Sequence, residues 1–81
     1  MKLQQSTWPE IEAWLKDNDG ILIPIGSTEQ HGPTGLIGTD AICPETIAGG
    51  LSDHGVLVGP TLSIGMAQHH LAFPGSITLR P

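Results

Sequence analysis

Apolar residues first recur at helical spacing: Trp8, Ile11, Trp14 and Leu15 share one face, with Glu10, Glu12, Lys16 and Asp17 on the other, which predicts an amphipathic helix over residues 7–17. Thr7 and Glu10 have capping-box spacing, and Pro9 falls in the first turn, where its missing N–H has no intrahelical partner to lose. Asn18-Asp19-Gly20 is a turn signal, with Gly20 placed to end the helix in a left-handed conformation. The pattern then changes to a continuous apolar run, Ile21-Leu22-Ile23-Pro24-Ile25, as expected of a strand buried on both faces. Pro24 cannot donate to a ladder, so the strand is expected either to lie at an edge or to end there. Residues 26–39 hold Gly26, Gly32, Pro33, Gly35 and Gly38 and predict a loop with no regular element.

From Asp40 to about Asp53, Ile42, Ile47, Ala48 and Leu51 return to helical intervals, which predicts a second helix capped by Thr39 or Asp40, with Pro44 tolerated near its start. Gly49-Gly50 weakens this helix, and Gly55 is placed to cap its end. Val56-Leu57-Val58 reads as another buried strand, stopped by Gly59-Pro60. Strand, helix, strand in that order predicts a parallel pair with a right-handed crossover, and ligands in open α/β sheets gather beyond the carboxyl ends of the strands. The loop at 26–39 lies at such an end. Residues 60–75 carry no clear period and read as loop; Ser76-Ile77-Thr78-Leu79 alternates and predicts a further strand or an approach to a helix.

At 81 residues the chain is short for one domain, typically about 100 residues or more. Charged residues are 14%, against about 25% in ordinary domains, while Gly and Pro number 11 and 7, which suggests structured loops and faces covered by other protein. Three Lys and Arg stand against eight Asp and Glu, for a net charge of −5, and none of the three lies between Lys16 and Arg80. This balance argues against nucleic acid as a partner and against phosphate-grasping chemistry. One cysteine, Cys43, excludes an internal disulfide, and the absence of a long apolar run or of a signal-peptide core predicts a cytoplasmic protein with no membrane association.

Glu29, His31 and Asp40 are the close grouping of metal-competent side chains. In an extended segment residues two apart point to the same side, so Glu29 and His31 can address one ion or two adjacent ions, with Asp40 returning from the start of a helix. A mixed carboxylate and imidazole set suits Zn²⁺ or Mn²⁺. On spacing alone, a solvated polar loop is the competing reading.

Ile25-Gly26-Ser27-Thr28-Glu29-Gln30-His31-Gly32-Pro33, then Gly38-Thr39-Asp40 and Phe73-Pro74-Gly75-Ser76-Ile77, resemble the creatininase (creatinine amidohydrolase) family over roughly residues 20–80. The resemblance implies that Glu29, His31 and Asp40 ligate a dinuclear metal centre, the aspartate bridging both ions. It also implies the N-terminal, βαβ-containing part of a three-layer α/β/α domain, a hexameric homo-oligomer in many members, and hydrolysis of a small-molecule amide C–N bond by metal-activated water. Thr34 stands where the family often has histidine. The family is about three times longer as a rough size for this fold, and its remaining ligands have no counterpart by residue 81. Residues 1–81 are thus expected to be one portion of a single domain, holding half of a site and no catalytic residue of their own. Rival readings are a catalytically incomplete metal-binding or assembly fragment, and a family member acting on a formamide or lactam.

His70 matches a family histidine, whereas His69 stands where an acid is common. His70 reads either as a wall of the substrate pocket or, with His69, as a loop histidine packed under neighbouring structure. His54 is placed to interact with a helix C-terminus, and Glu45 with a helix N-terminal turn. Cys43 is expected to be a small buried side chain, and Trp8 and Trp14 core or interface anchors. Ser63, in Thr61-Leu62-Ser63-Ile64-Gly65, lacks the first glycine of a hydrolase nucleophile elbow, and Ser27 fails likewise.

Overall fold

The computed structural model describes residues 1–80. Two α-helices, α1 (Trp8–Leu15) and α2 (Thr39–Leu51), are joined by extended segments and by short 3₁₀ turns at Leu3–Gln5 and Gln68–His70. α1 begins where its capping pair requires: the Thr7 backbone N–H and hydroxyl donate to Glu10 Oε1 at 3.1 and 2.8 Å. These bonds, the backbone one foremost, hold the Glu10 carboxyl below its ordinary range. The helix is shorter than its pattern predicts, and Gly20 is not its left-handed cap. Asn18 Nδ2 instead donates to the Trp14 carbonyl at 3.0 Å, satisfying a carbonyl at the helix end without a positive φ.

Extended segments meet through isolated bridges. Val58 pairs in parallel with both Lys2 and Leu22, Ile25 pairs in parallel with Leu62, and Thr28 pairs antiparallel with Ile77. The predicted parallel return of 56–58 onto 21–25 is therefore present, while the use of Lys2 as a flanking partner was not legible in the pattern. Pro24 explains why the pairing is broken into bridges. Leu22 and Gly26 donate to Leu57 and Leu62 across the same gap, at 2.8 Å each, and Pro24 between them has no N–H to give. Its carbonyl still accepts from Leu62 at 2.9 Å, so pairing resumes beyond the proline rather than ending at it. Between the acceptors Leu22 and Pro24 lies one residue, and between their donors Gly59 and Leu62 lie two, so the segment past Pro60 carries an extra residue.

The two faces of this layer differ. Pro24 and Val58 are buried on one side, where Glu45 and Gly49 of α2 share a cleft with them. On the other side Ile21, Ile23 and Ile25 remain 47, 44 and 66% exposed, which corrects the expectation of a strand buried on both faces.

α2 is also corrected in detail. Its N-cap is Gly38, and the Thr39 hydroxyl turns back to the Leu36 carbonyl at 2.6 Å. The buried positions are Ala41 and Ala48, seven apart on one stripe, whereas Ile42, Ile47 and Leu51 face outward. Small residues are what a helix needs to come this close to extended backbone. Gly26 shows how close: a β-carbon there would overlap the Asp40 carbonyl and stand 2.6 Å from the Ala41 nitrogen. Pro44 cannot donate to that same carbonyl, four residues earlier, so the first turn of α2 is set against Gly26. Cys43 is exposed, contrary to expectation, because it lies on α2 away from the alanine stripe. No helix among the described residues is long and apolar enough to cross a membrane.

Candidate metal centre

Glu29 and His31 lie just beyond the end of the 21–28 segment, and Asp40 lies in the first turn of α2, so three short-range features bring them together. The Glu29 N–H donates to the Ile37 carbonyl at 3.1 Å, closing the loop on itself. Gly32 takes a φ of +80° and turns the chain after His31. Gly26 then lets α2 approach the segment that carries Glu29.

Ligand-capable atoms of Glu29, His31 and Asp40 all lie within 4.8 Å of one another. His31 Nε2 is 3.2 Å from Asp40 Oδ2, and the Ser27 hydroxyl donates to the same oxygen at 3.2 Å. Burial, the largest single influence, pushes the Asp40 carboxyl up. The side-chain interaction with Glu29, the nearby His31 charge and the bonds from Ser27 and His31 together outweigh it and hold Asp40 below its ordinary range. The Glu29 side chain is 13% exposed, against 32 and 41% for His31 and Asp40, so the cluster runs from a nearly enclosed carboxylate to an open rim.

A second group shares Glu29. Its carboxylate lies within the same 4.8 Å limit of ring nitrogens of both His69 and His70. His70 Nε2 stands 3.8 Å from Glu29 Oε2, and the two imidazoles have centroids 4.0 Å apart. The turn carrying them is anchored by Ala67, which is fully buried and whose N–H donates to Thr78 Oγ1 at 2.7 Å. Residues 76–79 in turn tie this turn to the Glu29 loop: the Gln30 N–H donates to Ser76 Oγ at 3.0 Å, and Ile77 donates to the Thr28 carbonyl at 2.8 Å. Gly75, at φ +91°, makes the tight turn after Phe73-Pro74, and a β-carbon there would come within 2.6 Å of Ile37. Beside these groups a recess of about 330 Å³ is lined by Gln30, Pro33, Ile37, Phe73 and Pro74, among others.

Of the residues singled out in the sequence, Glu29, His31, Asp40 and His70 converge, whereas His54 and Cys43 stand exposed and outside either group. Sequence reasoning gave no role to Ser27, Gln30 or Ser76, and carried no metal role to His69. Their signal was available only as polar side chains flanking ligand-type residues, where outer hydrogen bonds usually orient a metal site. The donor chemistry fits a divalent ion: two carboxylates and imidazoles, with no thiolate among them.

The chain matches the creatininase (creatinine amidohydrolase) family over residues 4–81 and belongs to that family. The mycofactocin precursor peptide peptidase of Mycolicibacterium smegmatis is 33% identical over 66 residues, covering 73% of this chain and 27% of that protein. The 3-dehydro-scyllo-inosose hydrolase of Thermotoga maritima is 33% identical over 79 residues, covering 95% of this chain and 25% of that protein. The solved structure of a creatininase with one tryptophan replaced by alanine superposes with a TM-score of 0.82 at 29% identity, over 96% of this chain and 33% of that one. The fold is accordingly creatininase-like, and the named relatives are hydrolases. The chain spans about a quarter of the length of these two curated relatives.

Proposed function

We propose that this chain contributes Glu29, His31 and Asp40 as ligands to the metal centre of a hydrolase that cleaves a non-peptide amide C–N bond in a small molecule. The observation that carries the reading is the convergence of those three side chains within 4.8 Å at the end of the 21–28 segment. A divalent ion held there, Zn²⁺ or Mn²⁺ by its ligand types, would lower the pKa of a bound water and polarise the scissile carbonyl.

The chain's own residues would prepare that chemistry. Asp40 is kept ionised to lower pH than an ordinary aspartate, so that it presents an anionic carboxylate to a cation, while Ser27 orients Oδ2. His31 would supply a nitrogen ligand beside it. Glu29, nearly enclosed, would keep its carboxylate from being solvated in competition with the ion. His70 would form a wall of the substrate pocket, with the Phe73-Pro74 recess receiving the remainder of the substrate.

Formamides and lactams are alternatives within the same chemistry. The accompanying proposals are a dinuclear centre with Asp40 bridging, completed by residues outside this chain, a three-layer α/β/α domain, and a cytoplasmic homo-oligomer with no nucleic-acid or membrane partner. The exposed isoleucine face supports cover by further protein.

The test is amide hydrolysis by the full-length protein before and after chelation, against a panel of cyclic amides, formamides and linear amides. The expected result is loss of turnover with chelator and recovery with Zn²⁺ or Mn²⁺. Turnover unaffected by complete metal removal would overturn the proposal.

A further inference from the structure

The two groups that share Glu29 look alike by distance, yet their hydrogen bonding separates them. His70 Nδ1 lies 2.8 Å from Gln30 Nε2. Which atoms of the Gln30 amide face which way is settled by its other partner: the Gly32 backbone N–H, which can only donate, lies 2.8 Å from Gln30 Oε1. The amide oxygen is thus committed to Gly32, and the NH₂ group is the one that meets His70. An NH₂ group has only hydrogens to offer, so His70 Nδ1 must accept and carries no proton. In a neutral imidazole the proton then resides on Nε2, the nitrogen 3.8 Å from Glu29 Oε2.

We infer that Gln30 is a positioning residue that fixes His70 in its Nε2–H tautomer, so that His70 presents a hydrogen-bond donor toward Glu29 and does not bind metal. A metal-bound imidazole nitrogen needs its lone pair, and the other nitrogen of such a ring ordinarily donates its N–H to a carboxylate or carbonyl. His70 has the reverse arrangement, with its outer nitrogen capped by a donor. Gln30 itself has little freedom to turn its amide over. Its backbone N–H is held by Ser76 Oγ at 3.0 Å, and a flip would set its NH₂ group against the Gly32 N–H. The Glu29–His69–His70 group therefore differs in kind from Glu29–His31–Asp40, where Asp40 Oδ2 stands beside His31 Nε2 and no amide donor among the described residues caps the ring. The role of His70 as a pocket wall rests on the metal-hydrolase reading; its tautomer does not.

The experiment is ¹⁵N solid-state NMR of full-length protein labelled at histidine, at a pH where the imidazoles are neutral, with His70→Gln used to assign the ring signals and elemental analysis run on both samples. The expected result is a protonated Nε2 and unprotonated Nδ1 for His70, unchanged metal content in His70→Gln, and inversion to Nδ1–H in Gln30→Glu, whose carboxylate can only accept. A protonated Nδ1 in the wild type would overturn the inference, as would loss of metal in His70→Gln or an unaltered tautomer in a folded Gln30→Glu. Protein that holds no metal but shows the Nε2–H tautomer would refute the proposed function and leave this inference standing.

Discussion

Asp40 and Gly26 show how much of the site depends on a single missing atom. The Asp40 carboxylate can join Glu29 and His31 only because α2 comes to rest with its first turn on Gly26, where any β-carbon would overlap the Asp40 carbonyl. Gly26→Ala is therefore expected to destabilise the protein by about 1–3 kcal/mol, the usual range for overpacking, and to weaken metal retention together with it. Denaturant midpoints and metal content measured on one preparation check this, and a variant with wild-type values for both would contradict the close approach. Glu29, His31 and Asp40 were legible as ligand candidates because two lie at extended-chain spacing and the third opens a helix. His70 was legible as a position but not as a neighbour of Gln30. That contact joins residues 40 apart through the Ser76 and Ile77 pairings, and neither leaves a periodic trace in the sequence.

Among the elements, α1 carries the clearest pH signature. Thr7 holds the Glu10 carboxyl below its ordinary range, so Glu10 binds protons less readily folded than unfolded. Such a group contributes stability that is fully present above its unfolded value of about 4.3 and is lost as pH falls through the lower folded value. Glu10→Gln should accordingly narrow its stability difference from wild type as pH drops through that window and show a constant difference above it. Thermal unfolding from pH 3 to pH 7 reads the effect directly; a difference that grows toward low pH would have the wrong sign. The capping pair was readable because it is local, four consecutive residues with known chemistry. The face of α2 was not. Its isoleucines mark a helical period, but the positions it buries are Ala41 and Ala48, and its first turn rests on the Gly26 backbone. Pro24 likewise announced an interruption without announcing that pairing resumes at Gly26.

For the whole molecule, the dimensions and the exposed side chains agree. The radius of gyration is 15.5 Å, against about 12 Å expected for a compact chain of this length, and the extents are 48 × 26 × 17 Å. These describe a thin layer rather than a globule. Only small or medium side chains reach the core, Ala41, Ala48, Leu57, Val58 and Ala67, while Ile21, Ile23, Ile25, Leu62, Ile64 and Met66 remain exposed. The low charge fraction of the sequence anticipated uncovered faces, though not which side of the layer would carry them. The 81-residue polypeptide produced by itself is expected to bind a hydrophobic dye strongly and to sediment as associated species; a monodisperse monomer with cooperative unfolding and no dye binding would contradict that picture.

Glu29, His31 and Asp40 are expected together to hold a divalent ion, and everything proposed for the reaction depends on that. This expectation is tested most directly by elemental analysis of the full-length protein and its Asp40→Asn variant after exhaustive desalting, with circular dichroism to establish that both are folded. Zn or Mn is expected in stoichiometric amount on the wild type and largely lost from the variant, because the amide is a neutral and weaker ligand. Equal metal content in two folded proteins, or none in the wild type, would contradict it.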